Sequence, residues 1–208
     1  MKITKEFAKK FYDNGSHGWG HISRVYVNAL KISETEDCDL EVIKVAALLH
    51  DIARYMDEDN IKSDHAKEGA KKVKELLEDF DYTSTQKDNI VYCIKVHRYS
   101  HGIKPETIEA AILQDADRLD ALGAIIISRL FFNTGKKNGI IHNPEIKVRD
   151  EYKGGGDITT PINHFYEKLL KITPNSFNTK KGKELAKSRY DFTKNFLEQF
   201  LKEWECEI

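Results

Sequence analysis

Proline and glycine are scarce in this 208-residue chain, at 4 and 12 copies, and they cluster instead of recurring at hairpin intervals. That pattern argues against a protein of short strands and tight turns and favours helices throughout. Cysteine is scarcer still: Cys38, Cys93 and Cys206 are odd in number and far apart. They allow neither a disulfide frame nor a cysteine-type zinc site, and read as reduced thiols of a cytosolic protein. No apolar run approaches the ~18 residues of a membrane span. The opening MKITKEFAKK lacks the apolar stretch of a signal peptide, so a cytoplasmic chain without a membrane partner is expected. An excess of one charge is missing as well. Lys+Arg 33 against Asp+Glu 34 leaves a net charge of -1, too little to hold nucleic acid by bulk charge. No interleaved aromatic and basic array supplies the alternative, so a nucleic-acid partner is not expected. What is abundant is charge of both signs, 32% of residues, beside 40% hydrophobic residues. That mixture suits amphipathic helices, not disorder.

Periodicity places those helices. Ile22, Val25, Tyr26, Ala29 and Ile32 follow one helix face over residues 20 to 34. Asp39 is placed to cap a second helix, whose Val42, Ile43, Val45, Ala46, Ala47, Leu48 and Leu49 are apolar on every side, so it is expected at the centre. A more polar helix is expected from Ser63, with Ala66, Ala70, Val73 and Leu77 inward. Thr83-Ser84-Thr85-Gln86 resembles a capping box before Ile90, Ile94 and His97. One long helix is predicted after Pro105, running to about Phe132. Residues 133 to 160 form a long Gly- and Lys-rich loop, and Thr160-Pro161 opens a helix with Ile162, Phe165 and Leu169 on its apolar stripe. The last helix, from about Thr179, carries Phe192, Phe196, Phe200 and Trp204 at helical spacing, as core or as the seam of a homodimer. The whole reads as a single all-α domain spanning 1–208.

The informative anomaly is VAALLHDIA, where His50 and Asp51 interrupt an apolar helix. A buried carboxylate is costly unless it neutralises, pairs or binds a metal. A structural alternative has His50 bonded to a backbone carbonyl and Asp51 paired with Arg54 at i+3. Two other segments favour the metal. His21 follows Gly18-Trp19-Gly20, where small residues let a backbone come close, and Gln114-Asp115-Ala116-Asp117-Arg118-Leu119-Asp120 sets three carboxylates within two helical turns. Two neutral imidazoles and two carboxylates form an N2O2 set that suits Mn²⁺, Mg²⁺, Co²⁺ or Fe²⁺ and leaves coordination positions open. The reading requires those donors within ~5 Å of one another.

His21, then His50-Asp51, then Asp117 in an Ala-Asp-Arg-Leu setting resembles the H…HD…D signature of the HD superfamily of metal-dependent phosphohydrolases. The blocks HISRVYVNALKIS, AALLHDIA, HAKEGAKKV, QDADRLDALGAI and INHFYEKLLKI resemble, in order, those of the bacterial stand-alone HD hydrolases. The resemblance implies an all-helical HD-domain bundle with its metal-site core at about 17–125 and C-terminal helices at about 160–206 completing it. It also implies His21, His50, Asp51 and Asp117 as metal ligands, a divalent ion with manganese first and Mg, Co, Fe or Ni as alternatives, and a nucleotide or phosphorylated metabolite as substrate. Cleavage of a nucleoside triphosphate to monophosphate and pyrophosphate is the favoured reaction. The order H…HD…H…H…D, with His65 and His97 included, resembles the dinuclear branch, in which Asp51 would bridge two ions; hydrogen-bonded or phosphate-facing roles for the two histidines stay open. That branch brings in an iron oxygenase as an alternative, and a non-enzymatic nucleotide-binding module is another. No Gly-Tyr-Pro motif follows, which argues against the cyclic-dinucleotide esterases, and Arg54 stands where the deoxynucleotidase pattern has an acidic residue.

Two carboxylates cancel the formal charge of a divalent ion, so substrate phosphates need further cations. Arg118 and Lys168 are the candidates, with His97 and His164 beside them; His164 and Lys168 stand at i, i+4, away from the Ile162/Phe165/Leu169 stripe. Asp57 and Glu58 are candidate proton acceptors for the attacking water. His17, His101 and His142 lie in polar or Gly-flanked settings and are expected at the surface.

Overall fold

A computed structural model describes residues 1–15, 17–54, 64–150, 152 and 158–208. Nine α-helices and no strand occur among them: α1 Lys5–Lys9, α2 Trp19–Ser33, α3 Leu40–Leu49, α4 His65–Leu76, α5 Ser84–Val96, α6 Ile108–Leu119, α7 Ala124–Lys136, α8 Pro161–Glu167 and α9 Lys180–Trp204. The all-α expectation is met. The chain forms two compact units, Met1–Arg118 and Leu119–Ile208.

In the first unit α3 is the central helix, as its apolar circumference requires. Each of Val42, Ile43, Val45, Ala46, Ala47, Leu48 and Leu49 is at most 2% exposed, and α3 packs on α1, α2 and α5. Its start is fixed chemically. The Asp39 carboxylate accepts the Glu41 and Val42 backbone N–H groups at 2.8 and 3.3 Å, satisfying donors that a helix end leaves without partners. The same carboxylate accepts Gln86 Nε2, while Glu109 accepts the Asp39 N–H and Asn89 Nδ2. The starts of α3, α5 and α6 are thereby tied through charge-assisted bonds. The capping box at α5 forms as read, Thr83 and Gln86 bonding reciprocally.

The second unit is built on Ile127, Leu130, Ile162, Phe165, Leu169 and Leu197 from α7, α8, α9 and the 3-10 turn Leu169–Lys171, with Phe131, Phe196 and Phe200 packed against them. Thr160 caps α8 and Thr179 caps α9, both as expected. The aromatic series on α9 is mixed: Phe196 and Phe200 reach the core, whereas Phe192 and Trp204 are 48% and 45% exposed. The fully covered face of α9 is instead Gly182, Ala186, Thr193 and Leu197.

One long helix was expected from 105 to about 132, and the chain breaks it. Gly123 has φ +84°, a conformation that costs an L side chain, and α7 restarts immediately after it. The break is supported within the second unit. Arg189 Nη1 donates to the Leu119 carbonyl at 2.6 Å, the Gly123 N–H donates to Thr193 Oγ1 at 2.8 Å, and Arg129 pairs with Asp120 at 3.1 Å. Helix α7 then runs to Lys136, a turn beyond the expected loop start. It closes with left-handed Asn138 and with Gly139 N–H donating back to Thr134 O, a Schellman arrangement. The following segment is anchored by Glu167, whose carboxylate accepts the Arg149 backbone N–H, Arg149 Nε and Nη2, and Thr159 Oγ1. The expected helix start at Ser63 and the Gly154-Gly155-Gly156 triplet lie outside the described residues.

Candidate metal centre

Two helix ends aim two imidazoles alike. His50 follows α3 and His97 follows α5, each in the C-cap position. His50 Nδ1 lies 2.9 Å from Ala47 O and His97 Nδ1 2.7 Å from Ile94 O. A carbonyl only accepts, so each Nδ1 carries the proton and each Nε2 keeps its lone pair, the state in which imidazole binds metal. The structural alternative for His50 is therefore realised at one ring nitrogen, and it leaves the other available.

His21 enters from the first turn of α2, where the chain must pass close to itself. A Cβ on Gly18, the N-cap residue, would sit 2.2 Å from the Asp13 carbonyl oxygen, so only glycine fits. Asp117 comes from α6 and remains partly open, its side chain 26% exposed. His65 opens α4 and is fully buried, beneath the Asp64 cap.

These side chains converge on Asp51. His21 Nε2 lies 3.2 Å from His50 Nε2, 3.5 Å from Asp117 Oδ1 and 3.7 Å from Asp51 Oδ2; His50 Nε2 is 3.9 Å from that same oxygen. The other oxygen, Asp51 Oδ1, lies 3.4 Å from His65 Nε2 and 3.5 Å from His97 Nε2. Three overlapping donor groups result, His17/His21/Asp51, His21/His50/Asp117 and Asp51/His65/His97, each with its atoms within 4.8 Å of one another. Donors in adjacent positions around one small divalent ion lie roughly 3 to 3.5 Å apart when each ligand bond is about 2.1 Å. The His21–His50, His21–Asp117, His65–Asp51 and His97–Asp51 separations, 3.2 to 3.5 Å, fall in that range, and His21 and His50 stand wider from Asp51 Oδ2, at 3.7 and 3.9 Å. A further fact points the same way: Asp51 Oδ1 is buried and has no hydrogen-bond partner. A bare carboxylate oxygen in such a place is costly unless a cation serves it.

The electrostatics hold His50 and His65 neutral beside an anionic Asp51. Burial pushes the His50 pKa down to about 4 against the pull of Asp51. Burial likewise takes His65 down to about 4, with Arg54 reinforcing it. Burial opposes ionisation of Asp51, yet His50, His97 and Arg54 hold its carboxyl well below the usual range. His97 moves upward because its Asp51 partner outweighs burial. Tyr12, half-buried beside Asp51, donates its hydroxyl to Leu48 O, and burial of that hydroxyl pushes its pKa well up.

The remaining candidates have settings of their own. Arg118 is 8% exposed, donates to Gln114 Oε1 at 2.9 Å, lies over the Tyr99 ring and sits 3.9 Å from Asp115, a fully buried carboxylate. Asp57 and Glu58 lie outside the described residues. His164 and Lys168 belong to the second unit. His164 is 5% exposed, its ring edge against Tyr152 at 4.6 Å, and burial lowers its pKa to about 4; Lys168 Nζ sits over the Tyr152 ring at 5.1 Å. Sequence reasoning missed His17. Expected at the surface, it is half-buried, packs edge-on against His21 at 5.5 Å, and lies within 4.8 Å of His21 and Asp51 donor atoms. Its spacing of four from His21 was the available signal.

Comparisons with known proteins agree with this geometry. The family model described as HD domain matches residues 18–122. The chain is similar to the crystal structure of an HD-superfamily hydrolase from Bacillus thuringiensis, with 37% identity, a TM-score of 0.74, and 97% of this chain and 94% of that one covered. It is 30% identical to Bacillus subtilis YpgQ over 92% of this chain and 86% of that protein. A YpgQ crystal structure in complex with ADP aligns at a TM-score of 0.72 and 29% identity, covering 96% of this chain and 94% of that one.

Proposed function

The chain belongs to the HD domain family, and from that premise we propose that it hydrolyses a phosphoanhydride or phosphoester of a nucleotide, with nucleoside triphosphate to monophosphate and pyrophosphate the favoured reaction. Membership makes it an HD-superfamily phosphohydrolase; HD domains bind divalent metals, and the His/Asp clusters here supply donors for one. The substrate is the proposal, and the ADP bound by the similar YpgQ supports a nucleotide. His21, His50, Asp51 and Asp117 would hold one ion, manganese by preference, and Asp51, His65 and His97 a second. The observation that carries the reading is the buried Asp51 carboxylate, flanked on each oxygen by imidazole nitrogens. We propose one functional domain, with His164, Lys168 and Arg118 serving the substrate.

Bound divalent ions would polarise a phosphoryl oxygen and make water a better nucleophile near neutral pH. The chain's own part is orientation. The Ala47 and Ile94 carbonyls fix the His50 and His97 rings, and burial keeps solvent from the Asp51 oxygens. In the hydrolysis, water oxygen bonds to phosphorus as the bridging P–O bond breaks. One water proton goes to a base, for which Asp57 or Glu58 is proposed, and pyrophosphate departs with the bond electrons. Purified protein with Mn²⁺ and a nucleotide panel tests this. Turnover is expected to fall at least ~1,000-fold in Asp51→Ala; equal rates in both proteins would defeat the proposal. The paired donor groups also favour a second reading, a dinuclear iron oxygenase. Two irons per chain with oxygen-dependent turnover would support it, and metal analysis with an oxygen electrode decides.

A further inference from the structure

Arg54 Nη1 lies 3.0 Å from His65 Nε2. A guanidinium carries five donors and no acceptor, so the imidazole must be the acceptor, with its proton on Nδ1. The lone pair that receives this bond is the one a cation held by Asp51, His65 and His97 requires. It cannot serve both.

Beside Arg54 is a cavity of about 250 Å³ lined in part by Phe11, Tyr12, Asp13, His17, Asp51 and Arg54. Sites that enclose a whole drug-sized ligand run to roughly 300–1,000 Å³, so this one suits part of a substrate. The Tyr12 hydroxyl is committed to Leu48 O, leaving its ring as an apolar wall, and Asp13 Oδ1 accepts the Gly15 N–H. Arg54 and His17 bring the N–H donors, directly next to Asp51. A planar guanidinium matches two phosphate oxygens at once, a stronger arrangement than its bond to a neutral imidazole.

Building on the two-ion reading, we propose that Arg54 is a phosphate-binding residue of this cavity, held by His65 while that imidazole carries no cation and delivered to a substrate phosphate when a cation takes the lone pair. It follows that Arg54 opposes the second ion, that phosphate relieves the opposition, and that ion and phosphate bind cooperatively.

The test is calorimetric titration of metal-stripped, full-length protein with Mn²⁺, with and without inorganic pyrophosphate, in wild type, Arg54→Met and Arg54→Lys. In wild type, pyrophosphate should tighten the second Mn²⁺ roughly tenfold. In Arg54→Met the second Mn²⁺ should bind about tenfold tighter without pyrophosphate, pyrophosphate should bind the loaded protein about tenfold more weakly, and the cooperativity should vanish. Arg54→Lys, which keeps the charge but loses the fork, should shift the same way by less. Two ions in wild type with unchanged Mn²⁺ and pyrophosphate affinities in both variants would overturn the Arg54 assignment alone. A single Mn²⁺ per chain at saturation in all three proteins, with pyrophosphate present, would remove the two-ion reading and this inference with it.

Discussion

Asp51 and Glu167 are both carboxylates sunk in the interior of their units, and they are satisfied in opposite ways. Glu167 accepts four hydrogen bonds, three of them from Arg149 and one from Thr159. Asp51 has imidazole nitrogens at 3.4 to 3.9 Å on both oxygens, and its Oδ1 has no hydrogen-bond partner. Burial costs a carboxylate hydration in either place. Around Glu167 the fold restores it with protein donors, leaving the group nothing further to do. Around Asp51 the fold leaves a deficit that suits a cation, and the two groups should therefore respond differently to truncation and to metal.

The largest separation is expected in stability without metal. Glu167→Ala removes the four hydrogen bonds that the carboxylate accepts and frees the segment it anchors, at a cost of about 3 kcal/mol. Urea unfolding of metal-stripped protein measures this. A loss under ~1 kcal/mol would make the pair a surface-like contact and erase the contrast. Next in size is the response to Mn²⁺. At about 100 times its dissociation constant a bound ion stabilises by about 2.7 kcal/mol, or roughly 5 to 10 °C in melting temperature for a chain of this length. Wild type and Glu167→Ala should both show that rise and Asp51→Asn should not. An equal rise in Asp51→Asn would place the ion elsewhere.

The same contrast explains what could be read before any coordinates. The clustering of His21, His50, Asp51 and Asp117 was legible because a His-Asp pair at the end of an apolar helix conflicts with burial, and conflict of that kind marks a candidate site. Helix starts at Asp39, Thr83, Thr160 and Thr179 were legible because capping is local chemistry. The break at Gly123 was not. Apolar periodicity continues across it, a lone glycine is tolerated in a helix, and what supports the break is Thr193 and Arg189, about seventy positions away. The burial of His164 was hidden for a related reason. Its ring is covered by Tyr152, from a loop whose path the α8 periodicity does not encode.

His164 supplies the smallest effect and tests whether the second unit holds a buried polar group of its own kind. Unlike Glu167 it is not saturated, since its Nδ1 is buried without a hydrogen-bond partner. Unlike Asp51 it can meet burial by staying neutral, and burial, seconded by Lys168, lowers its pKa from 6.5 to about 4. The unfolded chain therefore binds more protons than the folded one between those values, so stability from this group is full above about pH 6.5 and is lost as pH falls toward 4. From pH 7.5 to pH 5 wild type should lose about 2 kcal/mol more than His164→Gln. Comparing the two proteins at each pH cancels the shared contributions of the other histidines. Parallel stability curves would mean that the His164 ring takes up its proton inside the fold, and its burial would then have to be met by a partner as Glu167's is.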